Sequence, residues 1–107
     1  MAPVIDWSAL DASQPCPGVR SRRFDTGAAT LVRYDFEPGA GYPEHAHPEE
    51  QTVVVLSGSV TFYVAGEACP LGAGDVLPTA GGVPHRAVAG PDGVTFVNIV
   101  VPRRAPG

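Results

Sequence analysis

Proline and glycine break this chain at short intervals, twelve of one and thirteen of the other among 107 residues. Proline inside a helix removes a backbone hydrogen bond and clashes with the preceding turn, and glycine there costs roughly 1 kcal/mol, so no long helix suits the pattern. The same residues punctuate short strands and tight turns. With 44% apolar residues, many of them valine, the chain reads as a folded all-β protein rather than a disordered one. Its length suffices for a single core enclosing a pocket of small-molecule size.

The run from Ala28 to Phe36 is rich in β-branched and aromatic residues and ends at Pro38-Gly39, a strand followed by a turn. Thr52 to Leu56 is almost wholly apolar, and Ser57-Gly58-Ser59 is expected to reverse the chain into Val60 to Val64 as a hairpin. A second tight turn is expected at Ala65-Gly66-Glu67, and short strands at Ala68 to Leu71, Val76 to Thr79 and Val83 to Ala89. Another turn at Gly90-Pro-Asp-Gly93 precedes a last strand, Val94 to Val101. Six to eight short strands at near-regular spacing imply an antiparallel sandwich or barrel. Residues 1–23 read as an irregular N-terminal arm anchored by Ile5 and Trp7, and residues 24–107 as one β-barrel domain. A small barrel leaves strand edges and an apolar arm to cover, so a homodimer clasped by that arm is expected.

All three histidines of the chain fall in two segments: His45 and His47 in Gly41-Tyr-Pro-Glu-His-Ala-His-Pro-Glu-Glu-Gln51, and His85 in Gly81-Gly-Val-Pro-His85. Alternate residues of a strand point the same way, so His-x-His on extended backbone turns both imidazoles to one face. On a helix they would stand about 200° apart. Pro43 and Pro48 bracket the pair and oppose helix. Two converging imidazoles and a third from elsewhere are a donor set for a divalent transition metal: zinc, iron, manganese, nickel or copper. The plainer reading is two surface turn histidines and one buried, hydrogen-bonded imidazole. That every histidine lies in the pattern favours the metal.

In spacing, these segments resemble the cupin superfamily, small jelly-roll barrels. Their first motif runs glycine, His-x-His, glutamate, glycine, and their second glycine, proline, glycine, histidine, asparagine, each at fixed intervals. Gly39, His45, His47, Gln51 and Gly58 reproduce the first, with Gln51 where glutamate is usual. Gly74, Gly82 and His85 reproduce the second, with Ala80 for proline and Ala89 for asparagine. The resemblance covers about Tyr34 to Val101 and implies an antiparallel cupin-type jelly-roll β-barrel in which His45, His47, Gln51 and His85 hold one metal ion. The ligands are expected on two hairpins facing each other across the lumen.

Three neutral imidazoles and a neutral carboxamide leave the ion its full +2 charge, which suits polarising a carbonyl or enol oxygen or acidifying bound water. The set resembles that of small cupins acting on unsaturated sugar acids, where ring opening or tautomerisation occurs at a carbonyl. A metal-dependent enzyme of isomerase, cyclase or lyase type, acting on a carbonyl- or enol-bearing small molecule, is therefore the first expectation. A metal-dependent dioxygenase is one alternative; a non-catalytic cupin that binds a small ligand is the other, because Gln51 cannot take a proton and no general base stands out. Val94, Phe96, Asn98 and Val100 share a face of the last strand, and Asn98 is its polar member. In the sugar-acid cupins an aspartate is expected near that position. Asn98, Tyr34 and Glu49 are the catalytic candidates, followed by Tyr42, Tyr63, Glu44 and Arg104. A lumen lined by Val53, Val55, Phe62 and Phe96 would suit a partly apolar ligand.

The seven arginines are scattered, lysine is absent and the formal charge is −4, so there is no phosphate-tracking stripe and nucleic acid is not an expected partner. The longest apolar runs are of strand length, so no membrane insertion is expected. The N-terminus lacks a basic stretch followed by an apolar one, so a cytoplasmic location is expected, with Cys16 and Cys69 as separate thiols.

Overall fold

The computed structural model describes residues 4–104. The first three residues of the segment read for a secretion signal, and the last three of the tail, lie outside that range. After a short 3-10 turn at Trp7–Ala9 come eight strands: β1 (Ser13–Cys16), β2 (Val19–Asp25), β3 (Thr30–Phe36), β4 (Gly41–His45), β5 (Glu50–Val64), β6 (Glu67–Gly72), β7 (Val76–Thr79) and β8 (His85–Val101). Every strand pair is antiparallel. Among the described residues no helix is long and apolar enough to cross a membrane.

β5 and β8 carry the architecture. In β5 the buried positions are 51, 53 and 55, then 60 and 62; in β8 they are 85, 87 and 89, then, after Gly93 buried at the corner, 94, 96, 98 and 100. The parity switches in both strands, because each bends at a glycine-containing bulge and keeps facing inward as it passes from one half of the barrel to the other. The sequence-based expectation of chain reversals at Ser57-Gly58-Ser59 and Gly90-Pro-Asp-Gly93 is thus corrected: both segments are corners inside continuous strands. Gly58 and Gly93 have φ of 76° and 75°, and a Cβ on Gly58 would collide with the Gly93 carbonyl. The two strands bend together at the point where their backbones touch.

One half of the barrel comprises β4, the start of β8, the end of β5 and β6; the other comprises β1, β2, β3, the end of β8, the start of β5 and β7. Val60, Phe62, Ala87 and Ala89 from the first meet Val19, Phe36, Val53, Val55, Val94 and Phe96 from the second in one core, with the rings of Phe62 and Phe96 5.5 Å apart. This is a jelly-roll β-barrel. The expected turn at Ala65-Gly66 is present, both residues having positive φ, and it joins β5 to β6 in a two-residue hairpin.

Residues 13–16 and 19–23, part of the arm expected to be irregular, lie in strands instead, and the boundary expected at residue 23 falls inside β2. β2 lies toward the edge of its sheet and pairs with β3 from Val19↔Phe36 to Asp25↔Thr30. It buries only Val19 fully, so Arg20, Arg22 and Arg23 hide its strand character in the sequence.

Candidate metal centre

His45 ends β4 and His85 begins β8, and the two are directly paired across adjacent strands. They are neighbours in one half of the barrel, which corrects the expectation of ligands facing each other from separate hairpins. What faces them comes from the other half: Gln51 on β5 and Asn98 on β8. His47 lies in the loop beyond β4, where the Gly82 amide donates to its carbonyl oxygen at 2.8 Å and ties that loop to the turn before His85. Gly81 permits this approach, since a Cβ there would collide with the Pro48 carbonyl oxygen. The imidazole centroids lie 4.4 Å (His45–His85), 5.0 Å (His47–His85) and 5.5 Å (His45–His47) apart, and one nitrogen from each falls within 4.8 Å of the others.

Each ring is anchored in the same way. Nδ1 of His45 bonds the Pro43 carbonyl oxygen at 3.0 Å, that of His47 the Glu49 carbonyl at 2.9 Å and that of His85 the Val83 carbonyl at 2.8 Å. A carbonyl only accepts, so Nδ1 carries the hydrogen and Nε2 keeps its lone pair. The Nε2 of His85 is buried with no partner. The Nε2 of His47 faces Gln51 Oε1 at 3.0 Å, two acceptors turned toward each other when the imidazole is neutral. Burial, the largest influence on His85, holds its pKa below the ordinary value although its bond to Val83 pulls the other way, so the ring is in the neutral form that ligates. Tied Nδ1 atoms, free Nε2 atoms and an amide oxygen beside them fit a divalent transition metal.

The family comparison agrees with the geometry: the profile described as a cupin domain matches residues 32–101. The chain belongs to the cupin family. Among solved structures, KdgF from Halomonas sp. superposes with a TM-score of 0.86 at 24% identity, over 97% of this chain and 96% of that one. An RmlC-like cupin from Shewanella frigidimarina gives 0.85 at 24% identity, over 97% and 94%. Oxalate decarboxylase from Bacillus subtilis gives 0.84 at 20% identity, over 92% of this chain but 29% of its own. No curated protein matches by sequence.

Beside the imidazoles this cupin has a cavity of about 30 Å³, room for one or two waters or the end of a small ligand. Tyr34, Phe36, Phe62 and Phe96 wall one side, with Tyr34 stacked on Phe96 at 5.1 Å between centroids. Val53 and Val55, expected to line the lumen, pack in the core instead. Arg86 and Arg104 also line the cavity, and among the described residues no carboxylate does. Phe36 and Arg86 were not singled out in the sequence. Arg86 is adjacent to His85, with its guanidinium carbon 3.7 Å from the Tyr63 ring centre, and only the cross-strand pairing reveals that contact.

The three catalytic candidates separate clearly. Burial first and the neighbouring Tyr42 second push the Tyr34 phenol up to about 12, so it is a neutral hydroxyl at physiological pH. Glu49 lies outside the cavity wall, its Oε1 3.9 Å from Arg104 Nε. Asn98 lines the cavity, donates from Nδ2 to Gln51 Oε1 at 3.2 Å, and leaves its buried Oδ1 without a partner.

Proposed function

We propose that this cupin holds a divalent transition metal through His45, His47, His85 and Gln51 and acts on a small, anionic, carbonyl- or enol-bearing molecule. The observation that carries the reading is the set of three imidazoles, each fixed through Nδ1 to a backbone carbonyl, with the Nε2 of His85 buried and unpartnered. When bound, the ion supplies Lewis acidity toward an oxygen of the ligand. The protein's own groups do the rest. Arg104 at the cavity wall supplies a positive charge that favours an anion, and Asn98 Oδ1 accepts from a hydroxyl of the ligand. The aromatic wall excludes water on one side, and Tyr34 is a neutral hydroxyl that can donate but does not accept a proton as a base.

A reaction of isomerase, cyclase or lyase type fits a cavity whose ligand-facing groups orient and polarise without a strong base. Manganese is supported as one candidate metal by the Mn(II) centres of Bacillus subtilis oxalate decarboxylase, which shares the fold. Elemental analysis of untagged protein, followed by assay of small keto and enol acids with an oxygen electrode in the cell, tests the reading. Absence of any stoichiometric transition metal after reloading would refute it, and oxygen uptake coupled to turnover would transfer it to the dioxygenases.

We propose further that the molecule is a homodimer. On the outward face of the sheet, Leu31 pairs with Ile99, and Val97, Val54 and Val76 lie in a row across β8, β5 and β7. Leu56 and Val76 are 49% and 56% exposed, apolar area that a second copy would cover.

A further inference from the structure

The two ends of a glutamine amide have nearly the same shape, so packing alone does not decide which end faces a site. For Gln51 the difference is decisive. With Oε1 toward the imidazoles it offers a cation an oxygen; with Nε2 there it would donate to the bare Nε2 of His47 and cap the cluster. The structure has Oε1 in place, 3.0 Å from His47 Nε2 and receiving the Asn98 Nδ2 hydrogen bond at 3.2 Å. Gln51 is 2% exposed and Asn98 5%, so the bond between the two amides is shielded from bulk water. If Gln51 turned by itself, two amide N–H groups would oppose each other, so the two amides can turn only as a pair.

We propose that Asn98 is the positioning residue of the centre, setting which end of Gln51 faces His45, His47 and His85. The inference rests on the metal reading above. It gives Asn98 a role other than proton transfer, in keeping with a side chain that has no basic end. The unpartnered Asn98 Oδ1 belongs to the same arrangement: with the nitrogen end committed to Gln51, the oxygen end is left to the cavity.

A double-mutant cycle tests the inference with zinc binding as the readout. Metal-free wild type, Asn98→Leu, Gln51→Glu and the double variant are titrated with zinc by calorimetry. A carboxylate presents oxygen whichever way it turns, so it has far less need of Asn98. Asn98→Leu is expected to weaken zinc binding at least about tenfold in the wild-type background and less than about threefold in the Gln51→Glu background. Equal losses in both backgrounds, or none in either, would overturn the proposal. Asn98→Ala, which removes the donor without adding bulk, is run in parallel and must give the same pattern if Asn98→Leu proves poorly folded. A folded wild type with no affinity for zinc, manganese or nickel would instead refute the metal reading itself, and this inference with it.

Discussion

On the proposed reading, a neutral amide at the position where the cupin motif carries a carboxylate would change both the charge at the ion and the proton traffic around it. Gln51→Glu should therefore tighten zinc binding by about tenfold while lowering any non-oxidative turnover, because a less charged ion polarises oxygen less. Calorimetry and rate measurements on the same preparation check this; normal metal content with stability reduced by several kcal/mol would mean that residue 51 is a packing position bearing an uncompensated charge. His85 gives a pH prediction. Its folded pKa lies below the ordinary 6.5, so as pH falls under 6.5 the unfolded chain takes up a proton that the folded one resists. Stability of the metal-free protein should be fully present above that pH and decline as the pH falls below it, with a shallower decline in His85→Gln, as followed by thermal melts. At this scale the histidines, Gln51 and Asn98 were readable because strand alternation and motif spacing depend on nearby residues. Arg86 and Phe36 were not, because they reach the cavity through pairings between segments far apart in sequence.

The loop after β4 and the turn before β8 form one unit, held by the Gly82 to His47 hydrogen bond and by the close contact of Gly81 with Pro48. Gly81→Ala should lower stability by roughly 1–3 kcal/mol and weaken metal binding, because the displaced loop carries His47. Gly58→Ala makes an informative partner. It meets the Gly93 carbonyl at a corner outside the cavity wall and must hold positive φ, so it should lower the melting temperature without changing zinc affinity once folded. If the two variants alter zinc affinity equally, the loop argument fails. Corners and reversals use the same residues, which is why Ser57-Gly58-Ser59 reads as a turn in the sequence and is a bend in the structure. What separates them is whether the backbone across the sheet also bends there, and Gly93 lies beyond the reach of any local pattern. Ala65-Gly66 was legible because a two-residue hairpin is closed by its immediate neighbours.

For the whole molecule, a metal bound only by the folded state should raise stability by about 4 kcal/mol at a thousandfold excess over its Kd. A strong chelator should correspondingly lower the melting temperature, and an unchanged melt would argue against a tightly bound ion. Light scattering at micromolar concentration should give about twice the 11.1 kDa chain mass; the mass of a single chain would dismiss the dimer. The barrel was legible from strand count and spacing, whereas the strands of residues 13–25 were not, since a strand near a sheet edge can be held by backbone pairing with little apolar signature. The continuity of β5 and β8 through both halves bears on motion. Neither half can open without unzipping strands that the other shares, so native-state hydrogen exchange should find the amides of both halves protected to a similar degree. On the proposed reading, an ion or a ligand would then enter and leave at the tempo of the loops around Pro48 and Gly82, while the sheets stay closed.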